Sequence, residues 1–310
     1  MRTAPLALAA LMAEAAVGYP DALHRRAPHP VALPAALISV LERRWNAPHR
    51  SERERRALGV VAALLVPALA AGAGAGLSRL LHGRRAFPLL AAAATLGLAQ
   101  RSLHQHVAAV LRPLETGDLP AARAAVARIV GRDTHDLDAS GVAAAALESL
   151  AESFGDGVVA PALWLLAGGL PGLYAYKAVN TADSLVGHME PRWRAYGWAS
   201  ARLDDLANLL PARLAGGLLC LAAGRGWRVM RRDAPGHASP NAGWPEAAMA
   251  GALGVRLGGP ARYDGEPHAR PAFGDGPPPT AADLRRGLGL YLGATALLQI
   301  AVGALACRRR

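Results

Sequence analysis

Long uncharged stretches alternate with charged segments along the 310 residues of the chain. Five stretches contain no charged side chain or, in one case, a single arginine: 57–78, 86–100, 157–176, 206–224 and 287–307. Three of them reach the roughly 20 residues that a helix needs to cross the hydrocarbon of a bilayer. This pattern predicts an all-α, polytopic integral membrane protein with about four to six membrane helices.

The stretch 157–176 is predicted to be kinked or re-entrant, because Pro161, Gly168, Gly169 and Pro171 interrupt it. If every stretch crossed the membrane as a simple span, segments 131–157 and 177–208 would lie on opposite sides. The Pro/Gly-rich segment 225–286 before the last helix is predicted to be a structured loop rather than a membrane span. We treat residues 1–310 as a single membrane-embedded domain.

Composition supports the membrane class and limits the partners. Only 18% of the residues are charged, 52% are hydrophobic, and the mean hydropathy is +0.18. These values argue against a secreted disulfide scaffold, a disordered tail and a nucleic-acid-binding protein. The net charge of +11 comes from arginines, since Lys177 is the only lysine among 34 basic residues. Because the arginines cluster in loops, we interpret them as membrane-surface anchors that contact lipid; a groove for an anionic substrate is the alternative.

An alanine-rich helix is predicted to follow residue 138. Asp138 or Ser140 can cap it, and Gly155 and Gly157 can end it.

Three carboxylates on this helix are predicted to form one row. Glu148, Glu152 and Asp156 follow each other at i, i+4 and i+8. Like charges at this spacing repel, and no lysine or arginine lies between Arg132 and Lys177. A bound cation or ammonium group would relieve the repulsion, and a solvated acidic face is the alternative.

A second motif, YKAVNTADSLVG, covers residues 176–187. Lys177, Asn180, Thr181 and Ser184 fall on one helical face, with Asp183 beside them.

A third motif, ARLDDLANLLPAR, covers residues 201–213. Asp204 and Asp205 precede Asn208 at a spacing that can bind Mg²⁺ together with a substrate phosphate. The alternative is simple pairing of these acids with Arg202 and Arg213.

A fourth motif, SPNAGWPEAAMAGALG, covers residues 239–254 and contains Asn241; in it Glu246 opens a helix behind Pro245. Two common signatures are absent from the sequence, the GxxxxGK[ST] phosphate-binding loop and the HExxH zinc motif.

Together these motifs resemble the CobD/CbiB family of cobalamin biosynthesis, adenosylcobinamide-phosphate synthase. The resemblance follows the same order over almost the whole chain. The matching stretches are HPV at 29–31, GRDT at 131–134, the run from 148 to 161, NTADSLVGH at 180–188, and the segments 201–213 and 239–259, followed by Tyr263 and Gly265. Departures from the family pattern fall at Glu14, Tyr19, Ser153 and Gly155.

The resemblance implies an amide-forming ligase in the bacterial inner membrane. Its implied substrates are adenosylcobyric acid, which supplies a free propionate, and aminopropanol or its phosphate. Because a carboxylate and an amine do not condense readily in water, we expect activation by ATP with Mg²⁺, although no motif shows either. Other enzymes of the corrinoid pathway are expected as further partners.

This scheme assigns roles to the candidate residues. The expected catalytic residues are Glu148, Glu152, Asp156, Lys177 and Asp183. The expected substrate-binding residues are Arg132, Asp133, Asn180, Arg202, Arg213, Asn241 and Glu246. The expected metal ligands are Asp204 and Asp205.

Two other functions stay open from the sequence. A corrinoid transporter would line its path with the same intramembrane charges. A non-catalytic scaffold for pathway enzymes would tolerate the loss of the acidic clusters.

Overall fold

The computed structural model describes residues 3–19 and 32–308, and α-helices dominate them. The helices are α1 (Thr3–Val17), α2 (Ala32–Trp45), α3 (Glu52–Leu80), α4 (Phe87–Thr95), α5 (Gln100–Glu115), α6 (Leu119–Val126), α7 (Ala139–Phe154), α8 (Ala160–Val186), α9 (Trp198–Ala223), α10 (Trp227–Asp233), α11 (Gly243–Leu253) and α12 (Ala281–Cys307). Four short strands are β1 (Leu257–Gly258), β2 (Ala261–Tyr263), β3 (Glu266–His268) and β4 (Ala272–Phe273). The HPV stretch at 29–31 lies outside the described residues.

Among the described residues, four helical segments are long and apolar enough to cross a membrane: Glu52–Leu80, Ala139–Val186, Trp198–Ala223 and Ala281–Cys307. They confirm the predicted all-α polytopic membrane protein. The predicted apolar stretch 86–100 is not one of these segments, because α4 has only nine residues and ends in a turn in which the Gly97 N–H donates to the Ala94 carbonyl. Nine residues extend only about 14 Å along a helix axis, too little to span the hydrocarbon.

The segment Ala139–Val186 begins as the sequence predicts, and a π-helical turn continues it beyond the predicted end of its first α-helix. The Asp138 carboxylate accepts the Gly141 N–H at 2.7 Å, which confirms the N-cap. The α-helix ends at Phe154 with Gly155 as its C-cap, as predicted, but the chain does not leave the helix axis there, because both glycines lie in a π-helical turn, Gly155–Val159, that leads directly into α8. Such turns insert an extra residue into a helix and shift the register of everything beyond them.

A kink interrupts α8 at Gly169, where φ is +62° and ψ is −152°. Only glycine adopts this combination without substantial strain, and Pro171 follows two residues later. The predicted kink in 157–176 is therefore confirmed, while the re-entrant course stays a prediction.

The chain forms two compact units. The first comprises Met1–Ala99, Ala160–Asn208 and Val302–Arg310. In it α3 packs along α8, and α2 packs against both helices. Their shared core contains small and branched apolar side chains together with one tyrosine: Ile38, Ala62, Val66, Ala178, Ala182, Val186 and Tyr196.

The second unit comprises Gln100–Val159 and Leu209–Ala301. Helix α7 packs against α5, α6 and α11, and α10 packs against α11. Strand β1 pairs antiparallel with β4 beside α7 and α11, and β2 forms a hairpin with β3. The Pro/Gly-rich segment is thus a structured region, as predicted, and it places several polar side chains against the carboxylates of α7.

Candidate functional site

A buried carboxylate on α7 organises the polar part of the second unit. The side chain of Glu148 is only 3% exposed and accepts hydrogen bonds from three donors. The Arg132 guanidinium bonds Oε2, Arg270 donates to the same oxygen at 3.1 Å, and the Gly258 N–H donates to Oε1 at 2.9 Å. The expectation that the acidic row lacks nearby cations is therefore wrong for Glu148, because the fold brings in one arginine from before α7 and another from the strand region.

A second carboxylate lies beside the first. Glu246, in the first turn of α11, is 2% exposed. Its Oε2 is 3.6 Å from an Arg270 nitrogen, and its Oε1 is 3.9 Å from His237 Nε2. Burial, followed by the negative charges of Glu152 and Glu148, raises the pKa of Glu246 well above its usual value. We call Arg132, Glu148, His237, Glu246 and Arg270 the glutamate–arginine cluster.

His237 faces Glu246 through Nε2 and the Ser239 backbone through Nδ1. Nδ1 lies 2.9 Å from the Ser239 nitrogen and 3.3 Å from the Ser239 carbonyl oxygen, so either tautomer of the ring has a partner there. Burial lowers the pKa of this imidazole.

Sequence reasoning missed His237 and Arg270. Both lie in Pro/Gly-rich segments without helical periodicity, where spacing gives no information about which side chains meet. Only the folding of these segments back onto α7 and α11 brings the two residues to the carboxylates.

The remaining acids of the predicted row have different surroundings. Glu152 is exposed and acts on Glu246 through its charge. Asp156 lies half-buried in the π-helical turn, where the inserted residue breaks the i, i+4 register. Glu148 and Glu152 therefore lie close enough to Glu246 for their charges to raise its pKa, whereas Asp156 lies in the π-helical turn that follows α7.

Three other predicted residues of this unit contact neighbouring loops and rings. Asp133 accepts the Gly265 N–H at 2.8 Å and so fixes the turn of the β2–β3 hairpin. The Arg213 guanidinium lies 4.6 Å from the Trp244 ring centroid and also donates to the Leu209 carbonyl. Arg213 is 3.5 Å from the Asn241 side-chain oxygen, so these two predicted residues do lie together.

A separate polar network lies in the first unit. Lys177 donates to the Asn180 oxygen at 3.1 Å, and the Asn180 amide donates to Asp204 at 3.4 Å. Asn208 donates to the other Asp204 oxygen at 3.0 Å and accepts the Tyr176 hydroxyl at 3.0 Å. We call Tyr176, Lys177, Asn180, Asp204 and Asn208 the Lys177 network. It joins the second and third sequence motifs.

Asp183 and Thr181 lie on α8 near this network. Thr181 donates to the Lys177 carbonyl at 2.7 Å. A Cβ added at Gly187 would stand 1.9 Å from a side-chain oxygen of Asp183, so this carboxylate requires a glycine at that position.

The residues predicted to bind Mg²⁺ fit this ion poorly. Both Asp204 oxygens accept amide hydrogens, and Asp205 pairs with Arg202 at 2.8 Å on an exposed surface. Within residues 3–19 and 32–308, no group of three His, Cys, Asp or Glu side chains could hold a metal ion. Asp205 thus pairs with Arg202, one of the two arginines named in the alternative, and Asp204 accepts hydrogen bonds from two amides, while metal binding by these acids stays a prediction.

An apolar cavity of about 310 Å³ adjoins Lys177 in the first unit. Its walls come from α2, α3, α8 and the turn after α4, and include Leu37, Val66 and Leu69. Tyr174 also lines it, with its hydroxyl donating to the Ala93 carbonyl at 3.1 Å. Lys177 thus brings a cation to the edge of an otherwise apolar space.

Comparison with known proteins identifies the family. The family described as CobD/Cbib protein matches residues 7–291. A cobalamin biosynthesis protein CobD of Rhodobacter capsulatus is 48% identical, over 99% of this chain and 98% of its own. Proteins of the same name from a Sinorhizobium species and Geobacter metallireducens are 46% and 47% identical, over 93% and 87% of this chain and 94% and 88% of their own. No solved structure matches the chain. The chain therefore belongs to the CobD/CbiB family, which supports a role in cobalamin biosynthesis.

Proposed function

We propose that this protein is a membrane enzyme that joins an amine to a corrinoid carboxylate. The proposed substrates are adenosylcobyric acid and aminopropanol or its phosphate, and the product is adenosylcobinamide or its phosphate. The proposed location is the bacterial inner membrane, consistent with four helices long enough to cross a bilayer.

The observation that carries this proposal is the glutamate–arginine cluster. Glu148, Glu246 and Arg132 come from three of the stretches on which the resemblance rests, and the fold gathers them around two buried carboxylates. The reaction requires recognition of a carboxylate, and of a phosphate when the amine is phosphorylated. Planar guanidinium groups match both oxyanions with paired N–H donors. We assign Arg132 and Arg270 to this recognition, at 11% and 16% side-chain exposure.

Activation of the propionate is proposed to use ATP as a co-substrate, because an unactivated carboxylate does not react readily with an amine. Since the described residues fit a protein-bound Mg²⁺ poorly, we assign no step to a resident metal ion. Magnesium enters the proposal only as the usual counterion of nucleotide phosphates.

We also propose that the Lys177 network takes part in substrate binding. Lys177, Asn180 and Asp183 come from the motif NTADSLVGH and its preceding turn. An intramembrane cation is costly unless it has a function or a partner. We propose that Lys177 attracts an anionic substrate group, and that Asn180 positions the Lys177 ammonium by accepting its hydrogen bond.

The test is product formation by the purified full-length chain in detergent. Adenosylcobyric acid, aminopropanol or its phosphate, and ATP with Mg²⁺ are supplied, and the amide product is followed by mass spectrometry. Arg270→Lys keeps the charge but loses the guanidinium fork, so we expect turnover to fall at least about tenfold. Arg256→Gln alters an exposed arginine of the same unit and should leave turnover unchanged. Absence of product with the folded wild-type protein contradicts the proposal.

A corrinoid transporter is the second candidate, since charged residues of the Lys177 network lie within membrane-spanning segments. A transporter reconstituted in liposomes would accumulate corrinoid without consuming the amine. A scaffold would retain pathway flux after Lys177 and Glu246 are replaced.

A further inference from the structure

Two loops of the first unit lie together at one end of its helices. One loop connects α2 to α3, and the other connects α8 to α9. Arg192 of the second loop donates through two nitrogens to Glu42 near the end of α2. Arg194 pairs with Glu52 at the start of α3, at 3.0 Å. The Asn46 amide also donates to the Arg192 carbonyl at 2.9 Å, so the two loops form one continuous surface.

This surface carries an excess of positive charge. Residues 42–56 and 187–198, which we call the arginine surface, contain eight arginines and four glutamates, a formal charge of +4. Two of the arginines and two of the glutamates form the ion pairs just described. Glu54 caps α3 through Ser51, and Arg50 acts on it only through its charge. The arginines that form no ion pair with any described residue are Arg43, Arg44, Arg50, Arg53, Arg55 and Arg56.

Three tryptophans lie at the same end of the unit. Trp45 ends α2, Trp193 lies in the loop between α8 and α9, and Trp198 begins α9. The guanidinium of Arg56 lies over the ring of the exposed Trp198, 4.0 Å from its centroid. Tryptophans concentrate where a membrane meets water, and α3 enters its membrane-spanning segment here. The arginine surface therefore lies at the level of the lipid headgroups.

Helix α3 continues from its arginines into an exposed apolar face. Arg53, Ala57, Val61 and Leu64 follow each other at a spacing of three or four residues, and all four are exposed. The eleven residues from Arg53 to Leu64 extend about 16 Å along the helix, close to half the thickness of the hydrocarbon. A soluble anion would use the arginines alone. A phospholipid would use both parts, its phosphate on the arginines and an acyl chain on the apolar face.

We infer that the arginine surface binds the headgroup phosphate of an anionic phospholipid through Arg53 and Arg56, with an acyl chain along Ala57 to Leu64. Guanidinium groups match phosphate oxygens with paired donors, and positions three apart lie on the same side of a helix. An anionic lipid is favoured over a zwitterionic one because the latter carries its own cation. Since arginine-rich loops remain on the cytoplasmic side, the lipid belongs to the cytoplasmic leaflet. The inference does not depend on the proposed reaction.

The experiment is native mass spectrometry of the full-length chain in detergent with added phosphatidylglycerol or phosphatidylcholine of identical acyl chains. The wild-type protein should bind phosphatidylglycerol at least about tenfold more tightly, because each arginine near the headgroup adds to the attraction. The preference should shrink as the salt concentration rises. Glycerol 3-phosphate and ATP, which present phosphate without an acyl chain, should not displace the lipid at equal concentration.

Variants separate the headgroup contact from general electrostatic attraction. Arg53→Gln combined with Arg56→Gln should lower the preference for phosphatidylglycerol at least about tenfold and leave phosphatidylcholine binding unchanged. Arg228→Gln combined with Arg256→Gln removes the same charge from exposed positions of the second unit and should behave as the wild type. Leu64→Ser should weaken the binding of both lipids without changing the preference, because it alters only the contact with the chain.

The lysine pair, Arg53→Lys with Arg56→Lys, keeps the charge and should retain most of the preference. If the glutamine pair does not fold, the lysine pair and the ratio measured on the wild type still test the inference. Equal affinity of the wild type for the two lipids, or an unchanged preference in a folded glutamine pair, would overturn it. Displacement of phosphatidylglycerol by glycerol 3-phosphate or ATP would overturn it as well, and would indicate a site for a soluble anion.

Discussion

Two glutamates of the same cluster have opposite electrostatic surroundings. Glu148 is bonded by two guanidiniums and a backbone N–H, whereas Glu246 faces two other carboxylates, and among the described residues no donor bonds its Oε2, with Arg270 3.6 Å away. The same chemical group is therefore hydrogen-bonded at both oxygens at one position and only partly so at the other. The difference lies in the neighbours, since the two side chains are almost equally buried.

Neutralising each glutamate should change stability in different directions. Glu148→Gln leaves Arg132 and Arg270 without their shared carboxylate, so we expect a loss of about 3–5 kcal/mol. Glu246→Gln removes a repulsive charge and should leave the free energy of unfolding equal or higher at neutral pH. Thermal unfolding can be followed by thiol labelling of buried Cys220 after the exposed Cys307 is replaced by serine. A larger loss of unfolding free energy for Glu246→Gln than for Glu148→Gln would contradict this difference between the two glutamates.

The pH dependence of stability tests the same point. Because the fold raises the pKa of Glu246 above 4.5, its contribution is fully present below that value and is lost as pH rises through the raised pKa. The lowered pKa of His237 acts on the acidic side. Its contribution to stability is fully present above pH 6.5 and is lost as the pH falls through the lowered pKa. Glu246→Gln should therefore remove the loss of stability on the alkaline side only.

Lys177 allows a test of charge against amine chemistry. Its ammonium donates to Asn180 at the edge of an apolar cavity, so a positive charge is expected to suffice for attracting an anion. Lys177→Arg should retain product formation, and Lys177→Ala should reduce it at least about tenfold. The exposed Ser184→Ala, two helical turns further along α8, is the control. Loss of activity in both lysine variants would instead indicate a role for the amine itself.

At the scale of elements, the bend in α8 depends on one backbone conformation. Gly169 has a positive φ with an extended ψ, whereas φ is not positive at the neighbouring Gly168, where an added Cβ would meet nothing within 4 Å. Gly169→Ala should cost about 1–3 kcal/mol because alanine is strained there. Gly168→Ala should be neutral or slightly stabilising, since alanine favours a helix. Tryptophan fluorescence during thermal unfolding measures both, and equal effects would argue against the kink.

The contact between α3 and α8 depends on a small residue in the same way. A Cβ at Gly74 would lie 2.7 Å from the backbone of Leu170, but one at Gly72 would meet nothing within 4 Å. Gly74→Ala should therefore destabilise the first unit by about 1–3 kcal/mol, because backbone cannot move aside as a side chain can. Gly72→Ala, on the same helix, should leave it unchanged or slightly more stable. Similar melting temperatures for the two variants would contradict this close packing.

At the scale of the whole molecule, the course of the segment Ala139–Val186 through the membrane is the main prediction. Its 48 residues would extend about 70 Å as a straight helix, more than twice the thickness of the hydrocarbon. The re-entrant course predicted for 157–176 places both ends on the same face. Cysteines introduced at His135 and His188, both beyond the ends of this segment, should then react with an impermeant thiol reagent from one side only. Labelling from opposite sides would show a full crossing and would divide the candidate residues between two faces.

The sequence alone was sufficient for features that depend on local pattern. Uncharged length predicts the membrane class, Asp138 predicts its cap, and the Gly/Pro cluster predicts the bend at Gly169, because each depends on residues within a few positions of one another. The ordered motifs predict the family for a similar reason, since they are read directly from neighbouring residues.

Only the tertiary structure decided which charges meet. Arg270 reaches Glu148 across 122 positions of sequence, and His237 reaches Glu246 from a segment without periodicity. The π-helical turn likewise cannot be read from Gly155 and Gly157, which equally suit the end of a helix. Helical spacing correctly placed Glu148 and Glu152 one turn apart, but pairing and burial depend on distant segments. For that reason the three acids of the predicted row differ in the structure: Glu148 is buried and bonded by two arginines, Glu152 is exposed, and Asp156 is half-buried in the π-helical turn.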